Sequence, residues 1–110
     1  MIALVLISVS SEALAQSDWT LCKAVDADHL VIPACTRLID AGNLVQNDRA
    51  LAYSIRGAAH WRQRDLDAAI ADESKAIELD PHLASAFVAR SSAYGDEVRR
   101  SSDSGRNQGD

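Results

Sequence analysis

Apolar residues recur at three- and four-residue steps through residues 50–81, ALAYSIRGAAHWRQRDLDAAIADESKAIELDP. That spacing predicts two amphipathic helices around a short polar joint, Gln63-Arg64-Asp65. In the first helix Leu51, Ile55 and Ala58-Ala59 share one face, while Tyr53, Gly57, His60 and Trp61 share another. In the second, Leu66, Ala69, Ile70, Ala76 and Ile77 form the stripe, with Asp65 placed to cap the helix and Asp67 to favour its positive end. A helix that is apolar on two sides needs neighbours on two sides. The hairpin is therefore expected to be part of a larger stack.

The flanking pattern supplies those neighbours. A short helix is predicted over residues 17–24, capped by Ser17 or Asp18, and a second over residues 29–41. Pro33 lies inside the second, so its regular part is expected to begin there, where a first-turn proline is tolerated. Gly42-Asn43 is a C-terminal stop, and Asp48 caps the helix that enters residue 50. After Asp80 (cap) and Pro81 (first turn), residues 82–99 carry a last helical pattern through Leu83, Ala86, Phe87, Ala93, Tyr94 and Val98. Residues 101–110, SSDSGRNQGD, hold no large apolar side chain and predict a disordered tail. The fold class is all-α, with about five helices.

Composition adds bounds. A chain of 110 residues, 47% apolar and 25% charged, makes at most one small domain. Its net charge of −5 comes from interspersed acids and bases, without the basic stripe of a nucleic-acid binder, so no nucleic-acid partner is expected. Residues 1–15 read as a signal peptide: Ile2 to Val9 are apolar, and Ala13-Leu14-Ala15 presents small residues around a cut after Ala15. No Lys or Arg precedes that apolar core, and the other reading is a first helix of the domain. Export implies a periplasmic or secreted protein with no membrane span in its mature form.

Shifting the chain against itself by 34 residues sets Tyr53 on Phe87, Arg56 on Arg90, Gly57 on Ser91, Ala59 on Ala93 and His60 on Tyr94. This period, the aromatic Tyr53, the glycine Gly57, the small residues Ala69 and Ala76, and the closing Pro81 of KAIELDP resemble the tetratricopeptide repeat family, in a small secreted bacterial form. The resemblance covers residues 48–81 as one clear unit, 16–47 as a degenerate first hairpin, and 82–100 as a half repeat or capping helix. It implies a short α-solenoid in which Gly57 lies against Ala69 so that two helix backbones approach closely. Arg56 and Arg90 stand where the family has Leu, and Glu73 where it has an aromatic. For Glu73 two readings are open: a carboxylate at the stripe's edge reaching water, or one paired with Arg56 or Arg90.

Candidate chemistry is sparse. Cys22 and Cys35 form a disulfide if the chain is exported, as secreted repeat proteins similar to this one often do; the alternative is two buried thiols. His29 between them makes three ligands at an unusual spacing, so no metal site is expected. His60 reads as a packed ring and His82 as solvated. Asp72 and Glu78 are spaced to pair with Lys75 on an exposed face. No nucleophile elbow, phosphate loop or zinc-protease motif occurs, so neither catalysis nor a cofactor is expected.

The expected function is therefore protein–protein interaction. By the resemblance, first helices line the ligand-facing side, which places Leu51, Ser54, Ile55, Ala58, Trp61, Arg62, Ser85, Val88, Ala89 and Ser92 in a groove. Ser54 and Ala58 occupy positions where carboxylate-clamping members carry Lys and Asn. That leaves Trp61 and Arg62 as anchors for an apolar or acidic peptide, or Trp61 as packing for the neighbouring hairpin. An incompletely covered last helix implies weak self-association. The alternative function is a truncated repeat array that binds nothing on its own.

Overall fold

A computed structural model describes residues 11–107, with side-chain surroundings for residues 14–105. It contains five helices: α1 (Ser11–Cys22), α2 (Asp28–Ala41), α3 (Gln46–Arg62), α4 (Leu66–Leu79) and α5 (Ala84–Asn107). Each packs against the next across a short connection. In addition α1 touches α3 and α3 touches α5. The odd-numbered helices therefore lie side by side as one layer, with α2 and α4 behind them. The all-α stack expected from the periodicity is present.

Local chemistry sets the boundaries. Gly42 ends α2 in the left-handed conformation (φ 74°), its N–H donating to the Ile39 carbonyl at 3.2 Å. Asp65 caps α4 by accepting from the Ala68 N–H at 3.3 Å. Several expected starts shift. Ser17 and Asp18 lie inside α1, which begins upstream, and Asp18 pairs with Arg37 of α2 at 2.9 Å. Pro33 sits within α2, not at its start: the helix already begins at Asp28, and the proline lacks only the donor that would meet the His29 carbonyl. Val45 occupies the N-cap of α3, leaving Asp48 in the first turn. Asp80 caps a turn instead of a helix, its carboxylate accepting from the His82 N–H at 3.0 Å, and α5 starts only at Ala84.

At its other end α5 continues to Asn107, past the expected tail boundary at residue 101. Ion pairs spaced for one helix face, Arg99–Asp96 and Arg100–Glu97, precede this exposed extension. The apolar core of the expected signal, Ile2 to Val9, and residues 108–110 lie outside the described residues. Ala15 lies within α1 and packs, half-buried, against the first core cluster.

The core has two characters. Around α1 and α2 it is built from Cys22, Val31, Ala34, Cys35 and Leu38, with Trp19, Leu21 and Ile55 packed against them. The Cys22–Cys35 disulfide is formed, with Cα atoms 4.9 Å apart. The buried residues of α3 are small, Ala50, Ala52, Ser54, Gly57 and Ala59, the last of them belonging to the first cluster; those of α4 are Leu66, Ala69, Asp72, Glu73 and Ala76. Larger side chains of α3, such as Leu51, Tyr53 and Ile55, are only half-buried. The Gln46 amide donates to the Leu79 carbonyl at 2.7 Å, tying the start of this hairpin to its end.

Candidate functional site

The layer of odd-numbered helices carries two adjoining clefts. One, of about 400 Å³, lies between α3 and α5 and is lined by Gly57, Ala58, Trp61, Arg62, Glu73, Ser85, Val88, Ala89 and Ser92. The other, of about 310 Å³, lies between α1, α2 and α3 and includes Lys23, Val25, Val31, Ile55, Ala58 and Arg62. Ala58 and Arg62 border both. A third cleft of about 510 Å³, around Leu14, Arg37 and Leu44, is remote from the expected groove.

Helical periodicity explains the assembly. Ala58, Trp61 and Arg62 sit three and four residues apart on α3, and Ser85, Val88, Ala89 and Ser92 do the same on α5. Seven of the ten groove residues thus meet in one cleft, including Ala58, Trp61, Arg62 and Val88. Ile55 faces the adjoining cleft. Leu51 lines neither, and Ser54 is buried, 7% exposed, because its position on α3 turns towards α4.

Trp61 and Arg62 are less free than the groove reading expects. The Trp61 indole N–H donates to the Asp96 carboxylate of α5 at 2.8 Å, and Arg64 donates to the same carboxylate at 3.2 Å. The indole hydrogen bond, with Arg64 and Arg99 nearby, holds the Asp96 carboxyl below the usual carboxylate range. Arg62 grips Asp28 of α2 with Nε and Nη2, the shorter contact being 2.7 Å. Trp61 nonetheless keeps 37% of its surface exposed at the cleft, and Val88 keeps 67%.

The floor of the α3–α5 cleft holds the least expected group. Glu73 is only 1% exposed, and neither carboxylate oxygen has a hydrogen-bond partner among the described residues. It meets neither reading made for it. It does not reach water, and both arginines are engaged elsewhere. Arg56 binds Asp72 through two contacts of 2.7 Å, and Arg90 donates to the Ser74 hydroxyl at 3.4 Å. Burial pushes the Glu73 carboxyl up to about 7; the nearby Ser54 hydroxyl opposes this in part without completing a hydrogen bond, and the Asp72 carboxylate adds to it.

Gly57 explains how the carboxylate fits. A Cβ at this position would lie 2.8 Å from Glu73 Oε1 and 3.1 Å from Asp72 Cβ. The close approach at Gly57 is therefore made to Glu73 and Asp72, not to Ala69 as expected. Ala69 and Ala76 are buried on the same α4 stripe, whereas Pro81 is exposed in the turn that follows.

Asp72 is a second correction. Instead of lying on an exposed face with Lys75, it is 6% exposed and bound by Arg56, whose other nitrogen donates to Thr36 of α2 at 3.1 Å. The hydrogen bonds it donates to the Asp72 carboxylate raise the Arg56 guanidinium above its ordinary range. His60 stands 3.8 Å from Asp72, half-buried as a packed ring. The Lys75–Glu78 pair does form, at 3.1 Å. Asp72 follows Ala69 by one helical step, so its inward orientation was available from the stripe itself.

Comparison with known protein families, with curated proteins and with solved structures finds no match to the chain. Among the described residues no helix is long and apolar enough to cross a membrane.

Proposed function

We propose that this chain is an interaction module of tetratricopeptide type, which binds a peptide or protein segment in the cleft between α3 and α5 without catalysing a reaction. The observation that carries the reading is the meeting of Ala58, Trp61 and Arg62 with Ser85, Val88 and Ala89 in a single cleft of about 400 Å³. That volume is within the roughly 300–1,000 Å³ typical of ligand sites. The i, i+3 pairing of an aromatic with an arginine supports the repeat: Arg56 lies over Tyr53 at 5.3 Å, and Arg90 over Phe87 at 5.8 Å. The disulfide supports an exported protein, periplasmic or secreted, because such bonds persist in oxidising compartments.

Selection of a displayed random-peptide library on the immobilised protein tests the reading. Recovered peptides should bind the wild type and weaken at least tenfold on Val88→Glu, a change at an exposed position that leaves the melting temperature in place. Failure to enrich any peptide, or peptides indifferent to Val88→Glu, overturns it. A second interaction, weak self-association, is favoured by the exposed Phe87, Val88, Tyr94 and Val98 on α5. Sedimentation velocity reads it directly as a concentration-dependent coefficient, and a constant monomer value removes it.

A further inference from the structure

Phe87, Ser91, Tyr94 and Val98 follow one another along α5 at steps of four, three and four residues, and all four are exposed. That spacing aligns them in one narrow seam, apart from the buried side of the helix at Ala86 and Ala93. The residues 34 positions before Ser91 and Tyr94 are Gly57 and His60, on the face of α3 that α4 covers. There a Cβ on Gly57 would meet Asp72 and Glu73, and His60 stands 3.8 Å from Asp72. Among the described residues no helix covers the corresponding face of α5.

We infer that two copies of this chain pair through the seam, α5 against α5 in antiparallel, about a two-fold axis passing between Ser91 and Tyr94. This rests on the self-association reading above and gives it a surface and a register. The axis sets the small Ser91 beside Tyr94 of the second copy, and Phe87 beside its Val98, so large side chains meet smaller ones. The charges on one flank choose this register. Arg90 and Glu97 stand a heptad apart, each immediately before a seam residue, and both are half-buried at its edge. In the stated register Arg90 meets Glu97 of the second copy, and the symmetry makes the pair twice. Both groups have capacity left: Arg90 makes one long contact, 3.4 Å to the Ser74 hydroxyl, and Glu97 gives Arg100 a single oxygen, Oε2. Sliding one copy by a heptad brings Arg90 against Arg90 in one direction and Glu97 against Glu97 in the other. A parallel pair sets Arg90 and Glu97 against Gly95 and Ser102, with no charge to meet. Charge is thus matched in one alignment and opposed or wasted in the rest. From Phe87 to Val98 the seam spans about 17 Å, which suits a weak, reversible dimer.

The test is sedimentation equilibrium of the full chain and three charge-reversed variants, with thermal melting to show that each is folded. Arg90→Glu and Glu97→Arg each turn both attractive pairs into repulsive ones, and each should weaken self-association at least roughly tenfold. Glu97→Arg leaves the Arg90 contact to Ser74 in place, so a loss there is not a loss of that contact. The double variant Arg90→Glu with Glu97→Arg keeps the wild-type net charge of −5 and should associate as the wild type does. Association unchanged by either single reversal would overturn this pairing and leave self-association through another surface standing. A double variant as weak as the single ones would overturn it too, because residues 90 and 97 would then not face each other. A wild type that stays monomeric at every concentration overturns both the pairing and the self-association on which it rests.

Discussion

The two hairpins of this protein have the same architecture and are held by opposite means. In α1–α2, bulky Val31 and Leu38 pack around a covalent link between Cys22 and Cys35. In α3–α4, alanines and Gly57 let the backbones come close, and the directional contact is ionic, Arg56 to Asp72. The first hairpin is thus clamped by a disulfide and the second by a half-buried guanidinium on a buried carboxylate. The disulfide acts by constraining the unfolded chain of its hairpin. A regular hairpin built from small residues already has its close approach, and its buried charges instead fix which residues face each other.

The largest expected effect comes from breaking the ionic link on one side. Arg56→Ala leaves Asp72 buried beside Glu73 without a cation, and should cost about 3–4 kcal/mol in urea unfolding, the range for a broken buried pair less the part reached by solvent. Replacing both partners, Arg56→Met with Asp72→Leu, should recover most of that loss. A double variant as unstable as Arg56→Ala would show that the pair supplies net stability and not orientation alone. Removing the covalent link, Cys22→Ser with Cys35→Ser, should cost about 3 kcal/mol in the chain-entropy model. The loss should appear in hydrogen exchange as α1 and α2 opening ahead of α3 and α4. Uniform loss of protection across all five helices would mean the first hairpin does not open independently.

Glu73 provides a third contrast, since among the described residues the first hairpin has no buried acid. Its folded carboxyl titrates at about 7, above the value of 4.5 from which burial raises it. Between those values the folded state holds a proton that the unfolded state has released. Stability should therefore be fully present below about pH 4.5 and decline as pH rises to about 7, by roughly 3 kcal/mol in all. Glu73→Gln should remove that decline, and a wild-type stability that instead rises across this window would contradict the buried, unpaired state.

The difference between the hairpins also marks how far the fold could be read in the residues. Periodicity located all five helices, and Gly42 and Asp65 located two of their boundaries, because these signals are local. The stop after α3 was legible only as a polar joint. There Arg64 takes the left-handed conformation (φ 66°) that glycine usually supplies, and its side chain is held by Asp96 of α5. Helical spacing brought seven of the named residues of α3 and α5 to one cleft, yet the commitments of its polar residues were not legible. Trp61 to Asp96, Arg62 to Asp28 and Arg56 to Asp72 are pairings between helices, and several carboxylates were within reach of each donor. Glu73 stood out as a carboxylate in an apolar stripe; that it would stay unpaired depended on which arginine Asp72 had already taken.

The smallest effect tests the likeness between Arg56 and Arg90. Arg90 stands one period after Arg56 and, like it, lies over an aromatic three residues earlier. Its environment differs because α5 runs on to Asn107 as one helix, so among the described residues no returning helix supplies the counterpart of Asp72. What Arg90 has is a long contact of 3.4 Å to the Ser74 hydroxyl and a half-buried stem. A neutral partner at that distance and partial exposure together contribute little. Arg90→Ala should therefore cost under about 1 kcal/mol, against the several expected for Arg56→Ala, in the same urea experiment. The ratio matters more than either value. If the two arginines proved equivalent, the cost at Arg56 would come from stacking on the aromatic, which both share, and not from the carboxylate that only Arg56 has.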